Sequence, residues 1–135
     1  MATATAAAPQ PVSTSKTAVW AGRILSALPV LMMVFGAAYG ILRPEAVKQG
    51  FTKYGYPDQA LIPICIVEIA CALIYAVPRT SVFGAILLTA YLGGATATHV
   101  RVGEAFFVPV AVAVLAWLGL YLRDGRLRAL VPIRR

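Results

Sequence analysis

The sequence predicts an all-α fold, an integral membrane four-helix bundle. Three observations carry that prediction. Hydrophobic residues make up 60% of the 135 and charged residues only 13%, whereas a soluble domain carries about 25% charged residues. The apolar residues fall into four runs long enough to approach the thickness of a bilayer, about 17–25 residues each. The basic residues collect at the ends of those runs. A chain of this composition lacks the polar surface to cover itself, so lipid has to be part of its solvent.

Residues 1–18 form an Ala-, Thr-, Ser- and Pro-rich segment without apolar periodicity and are expected to be a disordered tail. The bundle is expected over 19–123, followed by a basic cytoplasmic tail at 124–135. The first span is predicted at 20–42, with Trp20 as an interfacial anchor, Arg23 snorkelling, and Pro29 tolerated as a kink. A signal-peptide reading, with a cut near Gly36-Ala37-Ala38, competes with it. The apolar run continues through Ile41-Leu42, however, which favours a span.

The connection 43–59 contains Pro44, suited to a helix start, and Gly55, suited to a helix end. Val47, Phe51 and Tyr54 share one face of the helix between them, which lies in the interface or packs over the end of the bundle. The second span, 60–77, is interrupted only by Glu68 near its middle, where an acid costs roughly 2.5 kcal/mol or more unless it is paired or protonated. Cys65, Cys71 and Tyr75 are expected on the same face, and the cysteines are too far apart on a helix for a disulfide. The turn Pro78-Arg79-Thr80-Ser81 leads to a third span at 82–98. Its small residues make two rows, Thr89/Gly93/Ala97 and Ala90/Gly94/Thr98, which predict close helix contact. A fourth span is predicted at 105–122, and the arginine-rich tail after it is expected to lie along an anionic leaflet.

Orientation follows from the basic residues. Lys16, Arg23, Arg79, Arg123, Arg126, Arg128, Arg134 and Arg135 belong to one side, and Arg43, Lys48, Lys53 and Arg101 to the other. Eight against four places both termini in the cytoplasm and makes the protein a multi-pass protein of the cell membrane. The formal charge of +7 is accounted for by that placement, so nucleic acid is not an expected partner.

The chain shows no phosphate-cradling glycine loop and no metal-ligand spacing. Glu68 is the strongest candidate for chemistry, as a proton-relay or binding residue, or else as a structural acid bonded to a Thr or Tyr of a neighbouring span. Arg23 differs from it in depth by roughly 9 Å, too far for easy pairing. Tyr91, mid-membrane, needs a partner for its hydroxyl. Thr89 and Thr96 can bond to carbonyls of their own helix. His99 is either an interfacial hydrogen-bonding residue or an axial haem ligand.

The runs GFTKYGYP, IVEIACALIYAVPRT and GAILLTAYLGGATATHVRVGE resemble the DoxX-like membrane proteins, over roughly residues 23–128. The resemblance implies four transmembrane helices and makes Glu68, Tyr91, Gly93, Gly94 and His99 the positions matching the family's motif. The family takes its name from a small subunit of a thiosulfate:quinone oxidoreductase. It therefore implies a membrane redox system, a quinone cofactor, and membrane or peripheral redox partner proteins besides the lipid bilayer. In that reading Glu68, Tyr91 and His99 are catalytic, Thr89, Gly93 and Thr96 bind the cofactor between the second and third spans, and no metal is held. Acid–base chemistry on a lipophilic substrate through Glu68, and a non-catalytic binder, transporter or assembly protein, are the alternatives. Where relatives end the first span with small residues and a lysine, this chain has Gly36-Ala37-Ala38-Tyr39-Gly40, which removes a cationic partner for Glu68.

Overall fold

The computed structural model describes residues 15–130. Among them it is helical throughout, with α1 (Lys16–Leu42), α2 (Pro44–Lys53), a 3-10 turn (Asp58–Ala60), α3 (Leu61–Ala76), α4 (Ser81–Arg101), α5 (Phe107–Arg123) and α6 (Gly125–Leu130). The four expected helices are thus joined by two short ones. Three stretches are long and apolar enough to cross a membrane: Lys16–Leu42, Asp58–Ala76 and Ser81–Arg101. The apolar helix α5 has 17 residues.

Helix α1 starts earlier than expected because Ser15 caps it, its Oγ accepting from the Ala18 amide at 3.2 Å. Residues 16–18, assigned to the tail on composition, are therefore helical, and residues 1–14 lie outside the described residues. The helix runs unbroken past Gly36-Ala37-Ala38. Its buried residues are Gly22, Ser26, Pro29, Met33, Ala37 and Gly40, a three-and-four spacing that makes one narrow stripe of mostly small side chains. The outer faces carry the large ones: Leu28, Phe35, Ile66, Phe83 and Val114 are all exposed. That inversion is what lipid as solvent permits.

Helices α1, α3, α4 and α5 pack in cyclic order, each against two neighbours. Close approach is set by glycines other than those expected. A Cβ on Gly22 would lie 2.7 Å from the Gly119 carbonyl oxygen of α5, and one on Gly40 would lie 2.8 Å from Cys65 Sγ of α3. One on Gly84 would fall 2.3 Å from the Tyr75 backbone. Gly93 and Gly94, by contrast, have open space where a Cβ would go. The glycines of the two small-residue rows therefore set no close helix approach, and the outer half of α4 meets its neighbours through side chains such as Tyr91, Leu92 and Thr98 instead.

At the centre, Tyr75 is fully buried. Its hydroxyl donates to the Ala116 carbonyl of α5 at 2.7 Å and lies 2.9 Å from Ser26 Oγ of α1. A buried phenol needs such a partner. Tyr75 thus ties three helices and does not share the environment of Glu68, as the helical wheel of α3 had suggested. The cysteines also part: Cys65 packs with Ala37 and Leu61, and Cys71 with the main core.

The two ends of the bundle differ. Gly22 meets the backbone of Arg123, so both ends of the described chain lie together. Arg123 stacks on the Tyr75 ring at 5.3 Å. Arg128 donates to the Tyr121 and Leu122 carbonyls at the end of α5, at 2.8 and 2.5 Å, which suits a cation at a helix C-terminus. Within the described residues the tail is helical: Asp124 caps α6, accepting from the Arg126 amide at 2.9 Å, and Leu127 is buried in the core. Arg134 and Arg135 lie outside the described residues.

At the other end, α2 packs Val47 and Phe51 onto Ala37, Leu61 and Cys65, so it covers the bundle. Gly55 and Gly103 end α2 and α4 in the same way, with φ of 74° and 72°. In each the amide two residues past the cap returns to the helix, Tyr56 to Phe51 O and Glu104 to His99 O, both at 2.9 Å. Those two turns aim Tyr56 and Glu104 at the same region.

Candidate functional site

The expected residues fall into two groups on different faces of α4. Glu68, half-buried on α3, accepts a hydrogen bond from the Tyr91 hydroxyl at 2.8 Å. The partner is one that the sequence singled out. Its other carboxyl oxygen faces Gly36 of α1, where a Cβ would be 3.8 Å away. Arg23 lies over the Trp20 ring instead, 5.3 Å from its centroid, and among the described residues no ion pair includes Glu68.

Tyr91 also lines a cavity of about 380 Å³ between α3, α4 and the end of α2. Phe51, Tyr54 and Tyr56 roof it, Ile64 and Ala90 form its lower wall, and Gly94, Thr98 and His99 complete it. The His99 Nδ1 is 2.7 Å from the Ala95 carbonyl oxygen. A carbonyl only accepts, so Nδ1 carries the hydrogen and Nε2 of the neutral ring keeps its lone pair. The His99 and Tyr54 rings stack obliquely at 5.3 Å. Tyr56 Oη pairs with Thr98 Oγ1 at 2.9 Å.

The roof is latched. Tyr54 donates to Glu104 Oε2 at 2.7 Å, Lys53 pairs with Glu104 Oε1, and Arg101 donates to the Tyr54 carbonyl. The Lys53 ammonium and the Tyr54 hydroxyl hold the Glu104 carboxyl below its ordinary 4.5, and the same carboxylate raises the Tyr54 phenol. A group with a lowered pKa in the latched state stabilises that state above its ordinary value, and the contribution is lost as pH falls through the lowered one. The latch should therefore weaken below about pH 4.5. A fluorine on the Tyr54 ring should shift toward its free-tyrosine resonance in that window, and Glu104→Gln should show the shifted resonance at every pH. Sequence reading missed Tyr56, Thr98 and the latch, although the Gly103-Glu104 pair after an apolar run was a usable signal.

Thr89, Gly93 and Thr96 line a different cavity, an apolar groove of about 690 Å³ between α4 and α5. Thr89 and Thr96 donate to Ala85 O and Leu92 O at 2.8 and 2.7 Å, as expected. Thr89 Oγ1 in addition accepts from Trp117 Nε1 at 2.8 Å. With those hydroxyls engaged, the groove presents hydrocarbon. The structure separates this trio from Glu68, Tyr91 and His99 and places it between α4 and α5, away from the α3–α4 side.

Long apolar helices with their large side chains outward, and a polar pair enclosed between them, define a multi-pass membrane protein in contact with the lipid bilayer. The chain belongs to the DoxX-like family, whose sequence profile matches residues 24–120. No curated protein and no solved structure matches it.

Proposed function

We propose that the cavity under α2 receives the ring of a quinone or quinol and that the protein serves a membrane redox system as its quinone-handling subunit. The observation that carries this reading is the juxtaposition of an aromatic-walled cavity with two proton-handling groups, His99 and the Tyr91–Glu68 pair. A quinol gives up two electrons and two protons when it is oxidised. His99 Nε2 has the lone pair to accept one hydroxyl proton, and in its protonated form it donates to a ring carbonyl. The second hydroxyl proton would pass to the Tyr91 oxygen as Tyr91 gives its own to Glu68, which it already contacts and which accepts it when ionised. The electrons leave to a partner protein of the same membrane.

The four-span arrangement belongs to this reading. With 17 residues, α5 is at the lower limit of the range of about 17–25 for a spanning helix, and it packs between two helices that are long enough to span. Both termini are then cytoplasmic. A reporter fused at the C-terminus that is active only outside the cell would overturn that orientation.

Binding of ubiquinone-1 to the detergent-extracted protein tests the cavity. Loss of one hydrogen bond, about 1 kcal/mol, should weaken it by about fivefold to tenfold in Tyr91→Phe and in His99→Leu. Thr89→Ala, on the far groove, should leave it unchanged. A parent protein that fails to bind the quinone sinks the reading. The 2.8 Å Tyr91–Glu68 contact also favours an acid–base enzyme for a lipophilic substrate, in which Glu68→Gln would keep ligand affinity and lose turnover.

A further inference from the structure

We infer that the basic end of the bundle carries a binding site for an anionic glycerophospholipid, its phosphate held between Arg79 and Arg126 and an acyl chain laid in the α4–α5 groove. A concavity of about 470 Å³ opens between the α3–α4 turn and α6, lined by Pro78, Arg79, Val82, Arg126 and Leu130 among others. Leu127 lines both this concavity and the apolar groove, so the two adjoin at that one side chain. A ligand filling them needs a charged head and a long apolar tail on one molecule.

The charges at this end are sorted accordingly. Arg23 stacks on Trp20, Arg123 on Tyr75, and Arg128 caps α5. Arg79 and Arg126 are exposed, and among the described residues no acceptor meets either guanidinium. Asp124, the acid in the concavity, has Oδ1 directed at the amides that open α6. Two guanidiniums are thus left for an anion, and the arginine fork suits phosphate oxygens. Basic pockets of this kind at the end of a membrane bundle recognise anionic head groups.

The groove is matched to a chain. Its α5 wall runs from Pro109 to Tyr121, roughly 18 Å along the helix, against about 15 Å for half of a hydrocarbon core. Gly93 leaves it unobstructed, and its one indole N–H is already bonded to Thr89.

This site rests on α5 crossing the bilayer, and is independent of the aromatic cavity. Trp117 lines the groove, and Trp20 is the other tryptophan, so a Trp20→Phe protein has a single reporter. In nanodiscs, phosphatidylglycerol with brominated chains should quench Trp117 at about one-thirtieth the mole fraction needed with brominated phosphatidylcholine, the factor expected of two basic contacts. Arg79→Ala/Arg126→Ala should bring the two lipids to parity. Arg43→Ala/Lys48→Ala, removing two charges from the opposite end, should leave the preference intact. Equal quenching by both lipids in the parent overturns the head-group site. So does a preference lost equally in the control pair, or one abolished by millimolar inorganic phosphate. Quenching by neither lipid means that α5 does not cross, which overturns the spanning reading together with the site.

Discussion

Gly84→Leu is expected to yield no folded protein. A Cβ at this position would sit 2.3 Å from both the Cα and the backbone nitrogen of Tyr75, and 2.8 Å from the Ile74 carbonyl carbon. Those atoms belong to the last turns of α3 and cannot rotate aside as a side chain would. Relief requires α4 to move bodily away from α3. That movement opens the contact that seats Ala85 and Leu88, both fully buried. Even Gly84→Ala should cost about 3 kcal/mol, the upper end of the usual range for overfilling a packed site. Thermal melting in detergent, followed by size-exclusion chromatography, reads the effect. Gly93→Ala, where nothing stands within 4 Å, should melt with the parent. If both alanine variants melt alike, the α3–α4 contact is not the one described.

Gly119→Leu is the second large effect. Its Cβ would lie 2.6 Å from Ser26 Oγ and 2.7 Å from the Ser26 amide nitrogen of α1. The displaced residue is the one beside the Tyr75 hydroxyl, so parting α1 from α5 also undoes the central hydrogen bonds. We expect aggregation on extraction, and for Gly119→Ala a loss of about 2 kcal/mol. Gly22 faces the same contact, its Cβ position being 2.7 Å from the Gly119 oxygen. Once one substitution has separated the helices the other has room, so Gly22→Ala and Gly119→Ala should cost less together than the sum of the single variants. Strict additivity in that cycle would mean that the two glycines do not share a contact.

The sequence made α1, α3 and α4 legible as spans because length and apolarity are sufficient signals for a membrane helix. Pro44 and Gly55 bracketed α2 for reasons of backbone geometry alone. Tyr91 was a readable partner for Glu68, since each is a polar group in an apolar helix with few alternatives. The faces were not legible. In a soluble helix the polar side marks the outside, whereas here the outward residues, such as Phe35 and Ile66, are as apolar as the inward ones. Small residues then become the only cue, and the chain holds several sets of them. Gly93 and Gly94 look as suitable as Gly22, Ser26 and Gly119, yet only the latter meet a neighbour. The division of α4 between two cavities depends on that choice of face. It therefore emerges only with the neighbours in place.

The Tyr75 knot bears on how the chain is made. Its hydroxyl spans 49 residues to Ser26 and 41 to Ala116, so one partner precedes it in synthesis and the other follows late. When α3 leaves the ribosome, Tyr75 can find Ser26, but the carbonyl that completes the site belongs to a helix not yet translated. The small-residue stripe of α1 is likewise uncovered along the part that α5 will occupy. Until then the α1–α3 and α3–α4 contacts can form, but the side of α1 that α5 closes stays open. Helix α5 acts as the keystone, and a nascent chain stalled before it should be a substrate for membrane quality control.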